Sequence, residues 1–153
     1  MKRIKKFQPK LQCFAIVSDE QALGEADAMD SLSKSGINLG PLHGIPYGLK
    51  DLFDTKGLIT GWGAEPYQNR VPSRDATIVK KLKDAGAIIV GKTTMPDFAA
   101  SWWGYGSVHG ETKCAYDLDR DSGGSSGGTG AAVAANLVTV GIGEDTGLDK
   151  TSF

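Results

Sequence analysis

The chain has 153 residues and a mass of 16.1 kDa, and 17 basic side chains nearly cancel 18 acidic ones to leave a net charge of −1. That balance removes the positive field of a nucleic-acid binder, and a hydrophobic share of 40% with 23% charged residues excludes a disordered chain. Two cysteines are too few for a disulfide framework and no apolar run approaches a membrane span or signal peptide, so a cytoplasmic, membrane-free setting is expected.

The basic stretch 1–10 is expected to be loose, and Cys13 to Val17 reads as a short strand. Ser18 with Gln21 three residues on makes a capping-box pattern, while Ala22, Ala26, Met29 and Leu32 recur at helical spacing. This predicts an amphipathic helix over 19–35 that Gly36 ends. Two prolines and two glycines between Gly40 and Pro46 rule out a helix there and lead into a strand near Tyr47 to Asp51. The segment 58–72 is rich in turn residues and reads as loop.

Asp75 is placed to cap a helix in which Ile78, Val79, Leu82 and Ala85 share one face, Lys80, Lys81 and Lys83 face outward, and Gly86 ends the run. Ala87 to Val90 then reads as a buried strand, followed by Gly91 to Thr94 as the cap of another helix near Met95 to Ala100. A helix, a short turn and an Ile-Ile-Val strand are the second half of a βαβ unit, so the class is α/β. From Asp121 to Asn136 nearly every side chain is small, which implies a loop and helix start packed very close to a neighbour. Val138 to Ile142 is a further strand, and from Leu148 to Phe153 the character of the sequence changes abruptly.

Several chemistries can be weighed against these residues. The glycine-rich run Gly123 to Gly130 lacks the lysine of a phosphate-cradling loop, since Thr129 follows Gly128. Gly104 to His109 ends in histidine rather than glycine, which favours a flexible loop. His43, His109, Cys13 and Cys114 are scattered without a zinc spacing, so no metal and no cofactor is expected. No Gly-x-Ser-x-Gly elbow supports a histidine-based triad. What remains is serine with lysine: Lys50 ends an apolar strand beside Asp51, and burial disfavours the charged form of a lysine, which suits a base.

Gly40-Pro41-Leu42-His43-Gly44-Ile45-Pro46 through Lys50-Asp51, then Asp75-Ala76-Thr77, Ala85-Gly86-Ala87, Gly91-Lys92-Thr93 and Gly123-Gly124-Ser125-Ser126-Gly127-Gly128 stand in one order along the chain. In that combination the sequence resembles the amidase signature family, over residues 11–147. The resemblance implies a mixed β-sheet flanked by helices and a hydrolase or transferase of amide C–N bonds, working by a Ser-cisSer-Lys triad on a small amide substrate. It gives Lys50 the role of the lysine and Ser125 that of the bridging serine after a cis peptide bond. Gly123, Gly124, Ser126, Gly127 and Asp145 would support the loop, and Thr146 with Gly147 would form the oxyanion turn.

The resemblance stops at Gly147. Where the family pattern runs Asp-Thr-Gly-Gly-Ser, this chain runs Asp145-Thr146-Gly147-Leu148-Asp149, so Asp149 takes the place of the nucleophilic serine. A carboxylate cannot be converted by the relay into an alkoxide-like nucleophile, and Leu148 crowds a turn that suits glycine. The expectation is therefore an incomplete N-terminal part of the amidase signature fold with a non-family tail over 148–153, and no activity of its own. The alternative is a noncatalytic module that pairs with a missing C-terminal part or with itself; neither nucleic acid nor membrane is an expected partner.

Overall fold

The computed structural model describes residues 1–145. The basic N-terminus forms a helix, α1 (Lys2–Leu11), and not the loose segment its charges suggest. Ile4 and Leu11 lie two turns apart and are buried, so one narrow apolar stripe holds the helix down while the lysines face water. Gln12 closes α1 in the left-handed conformation. The Gln8 side chain then fixes the next residues, donating to Phe14 O at 2.7 Å and accepting from Phe14 N at 3.0 Å.

Strand β1 (Phe14–Val17) runs into α2 (Asp19–Lys34). The expected capping box does not form, because Ser18 Oγ donates to Ile89 O (3.2 Å) and the Gln21 amide to Glu25 (2.8 Å). Buried Ser18 satisfies a tertiary partner in preference to its own helix. At the other end Gly36 acts as the sequence suggests: at φ +78° its N–H bonds Ser33 O, and Ile37 N–H bonds Leu32 O, the paired closure of a Schellman motif. His43 ties the following loop to α2. Its Nδ1 accepts from Leu39 N–H, which leaves Nε2 to donate to Met29 O at 3.0 Å.

Strand β2 (Pro46–Lys50), helix α3 (Thr77–Asp84) and strand β3 (Ile88–Thr93) make the βαβ unit, with β2 and β3 parallel. Asp75 does not cap α3; the N-cap is Ala76, and the Asp75 carboxylate accepts from Lys56 N–H and pairs with Lys83. Gly91 and Lys92 belong to the strand, not to a helix cap. A Cβ at Gly91 would strike Ile16 O, so glycine is what lets β1 lie against β3 at this point. No α-helix follows at 95–100, where there is only a 3₁₀ turn over Asp97–Ala99. The glycine loop expected at 104–109 instead opens a small hairpin of β4 (Tyr105–Gly106) and β5 (Gly110–Glu111).

Helix α4 (Gly127–Ala134) and strand β6 (Val140–Ile142) complete the described part. The sheet has the order β1-β3-β2-β6, with β1 antiparallel to β3 and β6 parallel to β2. One face packs Ile4, Leu11, Phe14, Ala22, Val90 and Ala132 between sheet and the helices α1, α2 and α4. The other packs Tyr47, Leu49, Ile89, Val79 and Leu82 beneath α3. Among the described residues no helix is long and apolar enough to cross a membrane.

Candidate active site

Alternation along β2 sends Leu49 into the α3 core and Lys50 toward α4. Lys50 is 0% exposed, at the end of a central strand. Its Nζ lies 2.5 Å from Ser125 Oγ, 3.0 Å from Ser126 Oγ and 3.0 Å from Glu144 Oε1. With Glu144 O at 3.4 Å, four oxygens surround the buried amine.

The loop that brings the serines in is held by small residues. Asp121 accepts from Gly123 N–H and Gly104 N–H, pinning the loop to the hairpin segment. The Gly124–Ser125 peptide bond is cis, and Ser126 is the N-cap of α4. Gly128 lets α4 sit directly on the sheet, where a Cβ would strike Thr94 Oγ1 and N and lie 2.6 Å from Cys13 O, and a Cβ at Gly127 would strike Ser122 Oγ of the same loop. Thr129 adds a cross-layer hydrogen bond to Thr93 at 2.6 Å. The small-residue run thus serves close approach.

The structure brings together Lys50, Ser125 and Ser126, with Gly123, Gly124 and Gly127 buried around them. Asp145 is exposed at the end of the described residues, and Thr146, Gly147 and Asp149 lie outside them. Sequence reasoning missed Glu144. Its carboxylate, 20% exposed, pairs with Lys50, and its backbone O accepts from Ser126 Oγ at 3.2 Å. The contact depends on β6 pairing with β2 through Leu49↔Ile142, which sets residue 144 level with the strand's end. Only that register could have pointed to it.

A second buried charged pair lies on the α3 side of the sheet. Lys92, also 0% exposed, donates to Phe53 O (2.8 Å) and Thr60 Oγ1 (2.7 Å). Its Nζ is 3.3 Å from Asp51 Oδ1, an ion pair without hydrogen-bond geometry, while Asp51 Oδ2 accepts from Gly61 N–H. Burial pulls Lys92 down to about 8 and raises Asp51 above its ordinary value; in each, the partner's charge opposes the shift and is outweighed. Among the described residues no cluster of His, Cys, Asp and Glu could hold a metal ion.

The Amidase family profile matches residues 1–147. This chain belongs to the amidase family. It is 43% identical over 147 residues to a glutamyl-tRNA(Gln) amidotransferase subunit from Bdellovibrio bacteriovorus, covering 96% of this chain and 30% of that one. The peptide amidase of Stenotrophomonas maltophilia superposes with a TM-score of 0.86 at 35% identity, over 92% of this chain and 30% of the amidase. A 6-aminohexanoate cyclic dimer hydrolase gives 0.82 at 29% identity, over 92% and 28%. The chain therefore spans less than a third of the length of these amidase relatives.

Proposed function

We propose that Lys50 and Ser125 are the proton-carrying half of an amide-cleaving site of the Ser-cisSer-Lys kind. The observation that carries this reading is the 2.5 Å contact of Lys50 Nζ with Ser125 Oγ, on a serine preceded by a cis peptide bond. In such a site the neutral lysine withdraws the bridging serine's proton as that serine withdraws the nucleophile's; the chain of protons later runs back to the leaving amine. Ser126, on the same amine, holds it in line. The substrate class is a small amide, and the relay asks for neither a metal nor a cofactor.

The nucleophile would come from the turn after Asp145, where Asp149 stands in the serine's place, so residues 1–153 turn over no amide unaided. Ammonia release from simple amides tests this, with none expected above background; turnover that Lys50→Ala abolishes would overturn it. Grafting residues 1–147 onto the remaining length of an amidase relative tests the roles. Hydrolysis by the graft is expected to fall ~10²–10⁴-fold with Lys50→Ala or Ser125→Ala, and an unchanged rate refutes the assignment.

A noncatalytic pairing module is the second reading, and the placement of β6 supports it. Among the described residues β6 is an edge strand, carrying backbone groups that can accept another strand. Size-exclusion chromatography across a concentration series would show self-association if this reading holds, and a constant monomer volume if it does not.

A further inference from the structure

We infer that Ser125 is itself a nucleophile toward activated acyl and phosphonyl electrophiles, with Lys50 as its base. This rests on the Lys50–Ser125 relay proposed above and goes beyond it, because a bridging serine only passes protons whereas a nucleophile forms a bond. The requirement for such a serine is a base within hydrogen-bond reach that is oriented in turn by a third group. Lys50 Nζ meets it, 2.5 Å from Ser125 Oγ and held by Ser126 Oγ and Glu144 Oε1, each at 3.0 Å.

Two further features favour attack at Ser125. Ser125 directly precedes the N-cap of α4, so negative charge developing on its adduct lies at the positive end of that helix. Ser125 is also 7% exposed, beside the partly exposed Glu144 and the exposed Gly143 and Asp145, so the pair lies just under the surface. Thr60 and Lys92 offer a contrast. That hydroxyl also meets a buried amine, yet it is 0% exposed and donates to Leu58 O. Of the other buried threonine hydroxyls among the described residues, Thr93 bonds Thr129, Thr94 bonds Thr112, and Thr55 donates to Phe53 O.

The step balances without a co-reactant. With a fluorophosphonate, the Ser125 Oγ–P bond forms as P–F breaks, the serine proton passes to Lys50 Nζ, and fluoride leaves with the electron pair. With a nitrophenyl ester, the Oγ–acyl bond forms and nitrophenolate leaves in the same manner. Neither leaving group needs a proton, so the two residues suffice; an amine leaving group does need one, which confines the reaction to activated donors.

The test is to incubate the 153-residue chain with a fluorophosphonate probe and map adducts by peptide mass spectrometry. One adduct per chain is expected, on Ser125, absent in Ser125→Ala and formed ~10²-fold more slowly in Lys50→Met, with circular dichroism confirming that both variants fold. Lys50→Arg, which keeps the charge and donors but cannot act as a base, is expected to be as slow as Lys50→Met. No adduct on the wild-type chain, an adduct on Ser126 or Thr60, or labelling of folded Lys50→Arg at the wild-type rate overturns the inference. The Lys50 ¹³Cε resonance separates this failure from that of the relay. If Ser125→Ala moves the resonance while the wild-type chain takes no adduct, the relay stands and the nucleophile falls; if the resonance ignores Ser125→Ala, both fall.

Discussion

Lys50 and Lys92 are both fully buried in adjacent parallel strands, where Lys50 pairs with Thr93 and Lys92 with Leu49, and the two amines reach opposite faces of the sheet. Their counter-charges differ. Lys50 meets hydroxyls and a carboxylate at 20% exposure, whereas the Asp51 side chain facing Lys92 is 3% exposed.

Removing the two lysines should therefore cost different amounts. Lys92→Met leaves Asp51 buried without its counter-charge and is expected to lose ~3–5 kcal/mol of stability. Lys50→Met leaves two serines able to bond each other and a Glu144 able to reach water, for a loss of ~1–2 kcal/mol. Urea unfolding of both variants measures the order, and the reverse order would refute the argument.

The same pair predicts a pH dependence. Lys92 is depressed from 10.5 to about 8 in the folded chain, so between those values the unfolded chain holds the extra proton and stability from this site rises with pH. Asp51 is raised from 3.8, so through its own window the folded chain holds the extra proton and stability falls as pH rises. The pair contributes least between the two windows. Compared with Asp51→Asn/Lys92→Met, the wild-type chain should gain stability as pH climbs above about 8. A flat difference there would count against the assignment.

Two glycines in α4 should respond in opposite directions to alanine. At Gly128 a Cβ would collide with the Thr94 backbone and the Cys13 carbonyl, neither of which is a flexible side-chain end. Gly128→Ala is expected to cost ~1–3 kcal/mol or more. At Gly130 nothing lies within 4 Å, so Gly130→Ala should gain ~0.5–1 kcal/mol from helix propensity. Thermal melts of the pair decide, and equal shifts would mean that α4 does not rest on the sheet as described.

Arg70 pins the long loop after β2. Its two terminal nitrogens each lie 2.7 Å from an Asp54 oxygen, and its guanidinium stacks 4.0 Å above the Trp62 ring. The Arg70 contact holds Asp54 below the usual carboxylate range, a contribution present above that range and lost as acid protonates the folded chain. Arg70→Lys keeps a charge but neither the fork nor the plane, and is expected to cost ~1 kcal/mol at neutral pH. The deficit should shrink as pH falls through the folded Asp54 value; a deficit independent of pH would show that stacking alone matters.

Much of this architecture can be read from the residues, and the exceptions have physical causes. The period of Ala22, Ala26 and Met29 and the closing Gly36 mark α2 well because local propensity and the tertiary outcome agree there. For α1 the signal is present, Ile4 and Leu11 two turns apart, but dense positive charge and Pro9 obscure it. Ser18, Asp75 and Gly91 mislead for one reason. Each has a plausible local role in a cap, and each is used by a neighbour distant in sequence: Ile89 O, Lys56 N–H and the β1 backbone. The pairing of Lys50 with Ser125 is reachable from motif resemblance, while Glu144 is not, because its place follows from strand register.

Glu144 reaches Lys50 only while Val140 to Ile142 stays zipped to Tyr47 to Leu49, a splice of three residue pairs. The amine's carboxylate companion is thus moored by a shorter ladder than the one that joins β2 to β3. Anything that extends this ladder outward stiffens the mooring, and fraying it leaves the amine with hydroxyl company alone.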